Sequence, residues 1–202
     1  MAARWWWRST LGAAVMALWA AQSQGAGLER KTFGTMATGE TVELFTLRNG
    51  KGVTATIMGY GGIVVSLTAP DRTGQFADVV LGFDTLEPYL KANPYFGALV
   101  GRYGNRIAKG EFRLDGQVYH LPKNNGLNTL HGGNESFGKK LWSIREGKAA
   151  DGVALELRYT SPDGEEGFPG TLQTRVTYTL TEASELRIDY EATTDPSRKL
   201  PV

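Results

Sequence analysis

The chain has 202 residues and a formal net charge of +1, with 41% hydrophobic residues, 21% charged residues and no cysteine. That length is enough to bury a core in one domain, and the near-neutral balance, without basic residues interleaved with aromatics, gives no footprint for nucleic acid. The missing thiols exclude disulfides and thiolate metal sites, and the two histidines, His120 and His131, lack an HExxH-like spacing, so no metal is expected.

Residues 1–25 read as a secretory signal peptide. Arg4 and Arg8 supply a positive start, residues 11–21 form an apolar run, and small residues follow, with cleavage expected after Ser23 or Gly25. The alternative is a membrane anchor, for which the run falls short of the ~20 apolar residues needed to span a bilayer; Trp5, Trp6 and Trp7 would lengthen it only if Arg8 snorkelled. Cleavage removes both arginines and leaves 20 basic against 21 acidic residues. A periplasmic or secreted location follows as an expectation, with no membrane association after cleavage. The absence of cysteine is compatible with a bacterial periplasm.

From there the periodicity is that of strands. Residues 41–48 roughly alternate, and residues 53–58 and 63–67 are β-branched runs separated by Gly59-Tyr60-Gly61-Gly62, which reads as a tight turn. It lacks the GK[ST] ending of a phosphate loop. Residues 78–81 look like a short buried strand. One helical piece is expected over residues 85–92, capped by Asp84 or Thr85 and kept short by Pro88.

Residues 111–114 and 117–121 alternate on either side of Asp115-Gly116, a strong hairpin signal, because a type I′ turn needs positive φ at both central residues. Further on, Val153, Leu155, Leu157 and Tyr159 share one strand face. So do Thr174, Val176, Tyr178 and Leu180, and then Leu186, Ile188, Tyr190 and Ala192. The 26 glycines, roughly 13% of the chain against about 7% in ordinary proteins, fit many turns between many short strands. The fold class expected is all-β: a large antiparallel β-sandwich in which residues 26–202 form one domain. Residues 194–202 read as a loop leading onward, so that a sandwich ending there is C-terminally incomplete, with an unpaired last strand or a missing layer.

The chemistry-bearing residues gather between Gly101 and Gly133. His131 is followed by Gly132 and Gly133, which let the backbone bend sharply and leave room for a ligand beside the imidazole. That ring donates or accepts a proton near neutral pH; the plain alternative is a structural histidine in a glycine loop. Arg106 offers five fixed donors and a permanent charge, and Asn105 offers both a donor and an acceptor. For either arginine, Arg102 or Arg106, the plain alternative is a surface salt bridge, and Arg102 is assigned to it. His120 faces away from Tyr119 and Leu121 and reads as a solvated strand position. Glu165 and Glu166 are adjacent in a Pro- and Gly-rich turn, so they point apart; a glycosidase pair would need carboxylates ~5 Å or more apart across one bond. That turn reads as scaffold, anchored by Phe168. Taken together, His131, Arg106 and Asn105 suit a neutral polyhydroxylated ligand.

The ordered segments TIMGYGGIVVSLTAPDRTG, DVVLGFDTLEPYL, YFGALVGRYGNRIAKGEFRLDGQVYHLPKNNGLNTLHGG, LW and TSPDGEEGFPG resemble the aldose 1-epimerases, also called galactose mutarotases. The resemblance runs from about residue 31 to 202. It rests on GR-x-x-NRI followed by N-x-LHGG, with SPDGEEGFPG downstream.

The resemblance implies a galactose mutarotase-like supersandwich binding a free hexose such as galactose or glucose in an open cleft. It implies acid-base interconversion of α and β anomers without a cofactor, and a small aldose as the partner. It carries Asn105 and Arg106 over as sugar-binding residues, and His131 as a catalytic residue that also contacts sugar hydroxyls. The family's second histidine, the expected proton donor, lies in an N-x-T-N-H-S-Y-F-N-L-type segment; that segment, a sugar-binding aspartate and a catalytic glutamate have no counterpart in these 202 residues. The chain is therefore expected to be the N-terminal part of such an enzyme, with a non-catalytic sugar-binding module as the alternative. An epimerase acting on hexose phosphates would call for a further basic cluster around Arg106 and His131.

Overall fold

Strands that alternate or run apolar pair with their sequence neighbours, and the result is two antiparallel sheets face to face. The computed structural model describes residues 25–91 and 94–194; the expected signal segment, apart from Gly25, lies outside them, as do residues 92 and 93 and the expected onward loop from residue 195. The first sheet runs in the order β1 (Gly27–Thr35), β2 (Thr41–Arg48), β3 (Thr54–Met58), β4 (Val64–Pro70) and β5 (Phe76–Asp78). A short helix, α1 (Glu87–Lys91), follows. Two small ladders come next: β6 (Arg106–Ile107) pairs with β9 (Thr129–Leu130), and β7 (Glu111–Leu114) with β8 (Gln117–His120). The second sheet is β10 (Ser143–Glu146), β11 (Val153–Ser161), β12 (Leu172–Leu180) and β13 (Leu186–Thr194).

The main core lies between the two sheets. Phe45, Leu47, Ala55 and Ile57 of the first meet Leu155, Leu157, Val176, Tyr178 and Leu180 of the second. A second core forms on the other face of the first sheet, where Val42, Leu44 and Met58 pack with Leu86 and Tyr89. β2 and β3 are thus buried on both faces, so their apolar residues are nearly continuous. Polar links join the sheets as well. The hydroxyl of Tyr178 donates to the carbonyl of Gly62 at 2.7 Å. The fully buried Asn49 donates to the carbonyl of Thr181 at 3.0 Å and accepts from the backbone N–H groups of Lys51 and Val53. Tyr178 and Asn49 are thereby satisfied rather than left at a cost of ~1–3 kcal/mol each.

Most expected strands fall where the periodicity places them, and Asp115 (φ 50°) and Gly116 (φ 80°) form the type I′ turn between β7 and β8. Several expectations are corrected. The stretch 78–81 is not a buried strand: β5 covers Phe76–Asp78, and Val79 and Leu81 are 61% and 67% exposed beside it. β1 and β10 were not anticipated, because both are mainly polar and solvent-facing and carry no apolar stripe. The face of β13 expected to be half buried leaves Tyr190 65% exposed; β13 is the edge of its sheet among the described residues, with a neighbour on one side only.

Candidate active site

The short β6–β9 ladder sets Arg106 opposite Leu130, so the next residues outward, Asn105 and His131, face each other across its end. They exchange two hydrogen bonds. The backbone N–H of His131 donates to the carbonyl of Asn105 at 2.9 Å, and the backbone N–H of Asn105 donates to Nδ1 of His131 at 3.1 Å. A backbone N–H can only donate, so Nδ1 is the acceptor and the neutral ring carries its proton on Nε2. Among the described residues Nε2 has no hydrogen-bond partner. The ring of Tyr95 packs edge-on against the imidazole with centroids 4.6 Å apart, fixing its plane.

The backbone here is bent in an unusual way. Tyr95, Asn105 and His131 all have positive φ, at 64°, 61° and 50°. Such conformations cost a non-glycine residue ~1–3 kcal/mol and gather where function demands a particular geometry. Gly132 and Gly133 continue the bend with φ of 88° and 113°. A Cβ at Gly132 would fall on the carbonyl oxygen of Gly101, so the turn lies directly on the segment that leads to Asn105.

Arg106 projects into solvent beside this pair. Its Nε donates to Oδ1 of Asn125 at 3.0 Å, and its Nη1 donates to Oδ1 of Asn105 at 3.2 Å. Because a guanidinium only donates, both amides must turn their oxygens toward it. The Nδ2 group of Asn105 and Nη2 of Arg106 then have no partner among the described residues. The three residues singled out in the sequence are therefore together as one shelf, with Asn105 and Arg106 exposed and His131 half-buried, and with Nε2 of His131, Nδ2 of Asn105 and Nη2 of Arg106 left without a partner among the described residues. Asn125, Tyr95 and Asn124 also belong to it and were missed. Asn124 and Asn125 carried only the weak signal of an Asn-Asn-Gly turn close to His131.

Arg102, four residues before Arg106, is not a surface ion pair. It is 6% exposed, and every one of its donors is used. Nε donates to Oγ of Ser161 at 2.8 Å, Nη1 to the carbonyls of Pro169 and Gly170 at 3.0 and 2.8 Å, and Nη2 to those of Ser161 and Pro162 at 3.0 and 2.8 Å. Burial lowers the Arg102 pKa, and nearby Glu165 opposes that shift. Loop 161–170 is thus docked onto the wall of the site, with Phe168 buried beneath hairpin residue Phe112.

Glu165 belongs to that scaffold, as expected. It accepts from the hydroxyls of Tyr159, at 2.5 Å, and Ser161, and pairs with Nζ of Lys140 at 3.1 Å. Burial pushes its carboxyl up, but the bonds from Ser161, Tyr159 and Lys140 outweigh that and hold it below the ordinary value. Tyr159 is pushed up, by burial first and by its bond to Glu165 second. His120 is solvated, as expected, with Nδ1 3.6 Å from Glu111.

A family model described as aldose 1-epimerase matches residues 43–202. A galactose mutarotase of Bos taurus is 49% identical over 164 residues, which are 81% of this chain and 46% of that protein. A crystal structure of a galactose 1-epimerase from Lactobacillus acidophilus NCFM superposes with a TM-score of 0.74 at 23% identity, over 85% of this chain and 49% of that one. An aldose epimerase homologue from C. elegans superposes at 0.67 with 30% identity, over 85% and 47%. The chain spans about half the length of the curated relatives it matches.

Proposed function

Because the chain belongs to the aldose 1-epimerase family, we propose that it binds a free hexose on the Asn105–Arg106–His131 shelf and serves the interconversion of that sugar's α and β anomers. The observation that carries this reading is the Asn105–His131 pair, in which Nδ1 of His131 is taken by the Asn105 N–H and the Arg106 guanidinium bonds the Asn105 side chain, leaving Nε2 of His131 as a donor for a ligand. Outward N–H groups with only one fixed positive charge suit a neutral ligand rich in hydroxyl oxygens better than a multiply charged one.

In the proposed reaction a base takes the proton of the anomeric hydroxyl while an acid protonates the ring oxygen. The bond from the anomeric carbon to the ring oxygen breaks and a carbonyl forms. Rotation about the neighbouring carbon–carbon bond turns the other carbonyl face to the hydroxyl, and the reverse transfers close the ring as the other anomer. Donors fixed before the sugar arrives stabilise charge on the open-chain carbonyl without reorganising. His131 and Arg106 fit that role, with Asn105 as a further contact to a hydroxyl. Positioned acid and base groups each contribute ~10²–10⁴-fold. Among the described residues Glu165 is engaged with Tyr159, Ser161 and Lys140 and is not free to act as that base. Turnover therefore calls for an acid and a base beyond the shelf. A periplasmic or secreted site of action, from the leader expected over residues 1–25, is part of the same proposal, and the chemistry requires no cofactor.

Calorimetry of the chain with galactose and glucose, alongside polarimetry of their α anomers corrected for spontaneous mutarotation, tests the reading. Saturable binding of either sugar, weakened about 10-fold or more in His131→Asn, supports the shelf, and acceleration beyond the spontaneous rate supports the epimerase. A folded chain that binds neither sugar overturns both. Binding without acceleration favours a sugar-binding module on the same fold.

A further inference from the structure

The turn that carries His131 has three consecutive residues with positive φ, and a histidine does not hold such a bend unaided. Asn124 supplies part of the restraint. Its Oδ1 accepts from the N–H of Leu130 at 2.7 Å, and its Nδ2 donates to the carbonyls of Leu130 and Gly133 at 2.9 and 2.8 Å. One side chain thus brackets His131, gripping the residue before it and the second residue after it.

Glu166 closes the turn from the other side. Its Oε2 accepts from the N–H of Asn134 at 2.7 Å, and its carboxylate lies where a Cβ on Gly133 would stand. Glu166 is itself held with φ of 51° in loop 161–170. That loop is the one Arg102 docks with five hydrogen bonds, three residues before Asn105. The same loop therefore touches both walls of the shelf: the strand of Asn105 and Arg106 through Arg102, and the turn of His131 through Glu166. The adjacent glutamates divide the work, with Glu165 turned into the scaffold and Glu166 toward the site.

We propose that Asn124 and Glu166 are positioning residues for His131, fixing the turn so that Nδ1 stays on the Asn105 N–H and Nε2–H points to the ligand. The assignment deepens the sugar-site reading and rests on it for the ligand, though not for the orientation of the imidazole. An imidazole released from this turn loses its reason to prefer one tautomer. At metal sites, losing the outer groups that orient a ligating histidine lowers metal affinity or activity by about 10–100-fold, and a loss at the low end of that range is expected here.

The test uses the full chain and three variants, Asn124→Ala, Glu166→Ala and Glu166→Gln. The side-chain ¹⁵N chemical shifts of the two histidines report the His131 tautomer without any sugar present. Calorimetry with galactose reports affinity, and thermal unfolding reports the fold. The expected result is a single Nε2–H tautomer in the parent and in Glu166→Gln, whose amide oxygen still accepts from Asn134. Both alanine variants are expected to show averaged tautomers and about 10-fold weaker galactose binding. Unchanged His131 shifts in the folded alanine variants overturn the proposal, as does a Glu166→Gln variant as impaired as Glu166→Ala. Should Asn124→Ala not fold, the Glu166 pair decides alone. A parent that binds no galactose removes the sugar reading, while the tautomer result still decides the positioning role.

Discussion

Asn105 and His131 meet with positive φ at the end of a two-residue ladder, and the side chain of one is oriented by the backbone of the other: Nδ1 of His131 accepts the N–H of Asn105 at 3.1 Å. The imidazole therefore presents its remaining nitrogen as a donor before any ligand arrives. Preorganisation of this kind lowers the cost of binding, since no rotamer has to be frozen when the ligand docks.

His131→Asn separates the two faces of that ring. An asparagine oxygen can occupy the Nδ1 position and accept from Asn105, and asparagine tolerates positive φ better than most residues. Stability is expected to stay within about 1 kcal/mol of the parent. Galactose affinity should fall by about 10-fold or more, for loss of the Nε2 donor to the ligand. Calorimetry and thermal unfolding on the same sample check this, and undiminished affinity would remove His131 from the site.

Arg102→Lys is expected to be among the most damaging conservative changes in the chain. A lysine ammonium has three donors and no planar fork, against the five bonds that Arg102 makes to Ser161, Pro162, Pro169 and Gly170. At least two buried acceptors lose their partner, at about 1–3 kcal/mol each. The thermal midpoint should drop by roughly 5–10 °C. A midpoint equal to the parent's would show that loop 161–170 docks without the guanidinium.

Arg102 and Arg106 also show what a sequence can and cannot reveal. They stand four residues apart in one glycine-rich segment, yet one is buried and the other lies on the surface. The difference is set by a loop some sixty residues later, and no local pattern encodes that. The Asp115–Gly116 hairpin was legible because its chemistry is local: both central residues need positive φ and both can adopt it. Asn105, Arg106 and His131 could be singled out as a polar trio among glycines and through the resemblance to the aldose 1-epimerases. Asn124 and Glu166 could not, because each acts on backbone groups of a turn whose bend is visible only in three dimensions. Val79 and Leu81 misled because an apolar run does not say whether anything covers it.

Glu156 gives the fold a dependence on acid. Its Oε1 accepts from Nε of Arg145 at 2.7 Å and of Arg158 at 2.6 Å, on the outer face of the second sheet. Those bonds hold its carboxyl at about 2 instead of the ordinary 4.5. A carboxyl lowered by folding adds stability that is complete above its unfolded value and is lost as pH falls through its folded value. The contribution should therefore be whole above pH 4.5 and disappear toward about pH 2. Solvent around the arginines limits it to about 1 kcal/mol. Glu156→Gln should unfold at a lower temperature than the parent at pH 7 and converge with it near pH 2. Parallel curves over the whole range would exclude the carboxylate as the source.

Gly132→Ala tests whether the bend beside His131 is set by contact or only by backbone preference. Gly126 provides the control, because it too has positive φ, 60°, but nothing lies within 4 Å of its Cβ position. Gly126→Ala should cost only the left-handed penalty of about 1–2 kcal/mol. Gly132→Ala carries that penalty and also drives a methyl group into the carbonyl of Gly101, which is backbone and cannot rotate away. The turn must then lift off the segment leading to Asn105, stretching the Asn105–His131 bonds. Denaturant unfolding should show Gly132→Ala less stable than Gly126→Ala by at least about 1 kcal/mol, with loss of galactose binding confined to Gly132→Ala. Equal losses in the two variants would mean that the Gly101 contact places no constraint on the site.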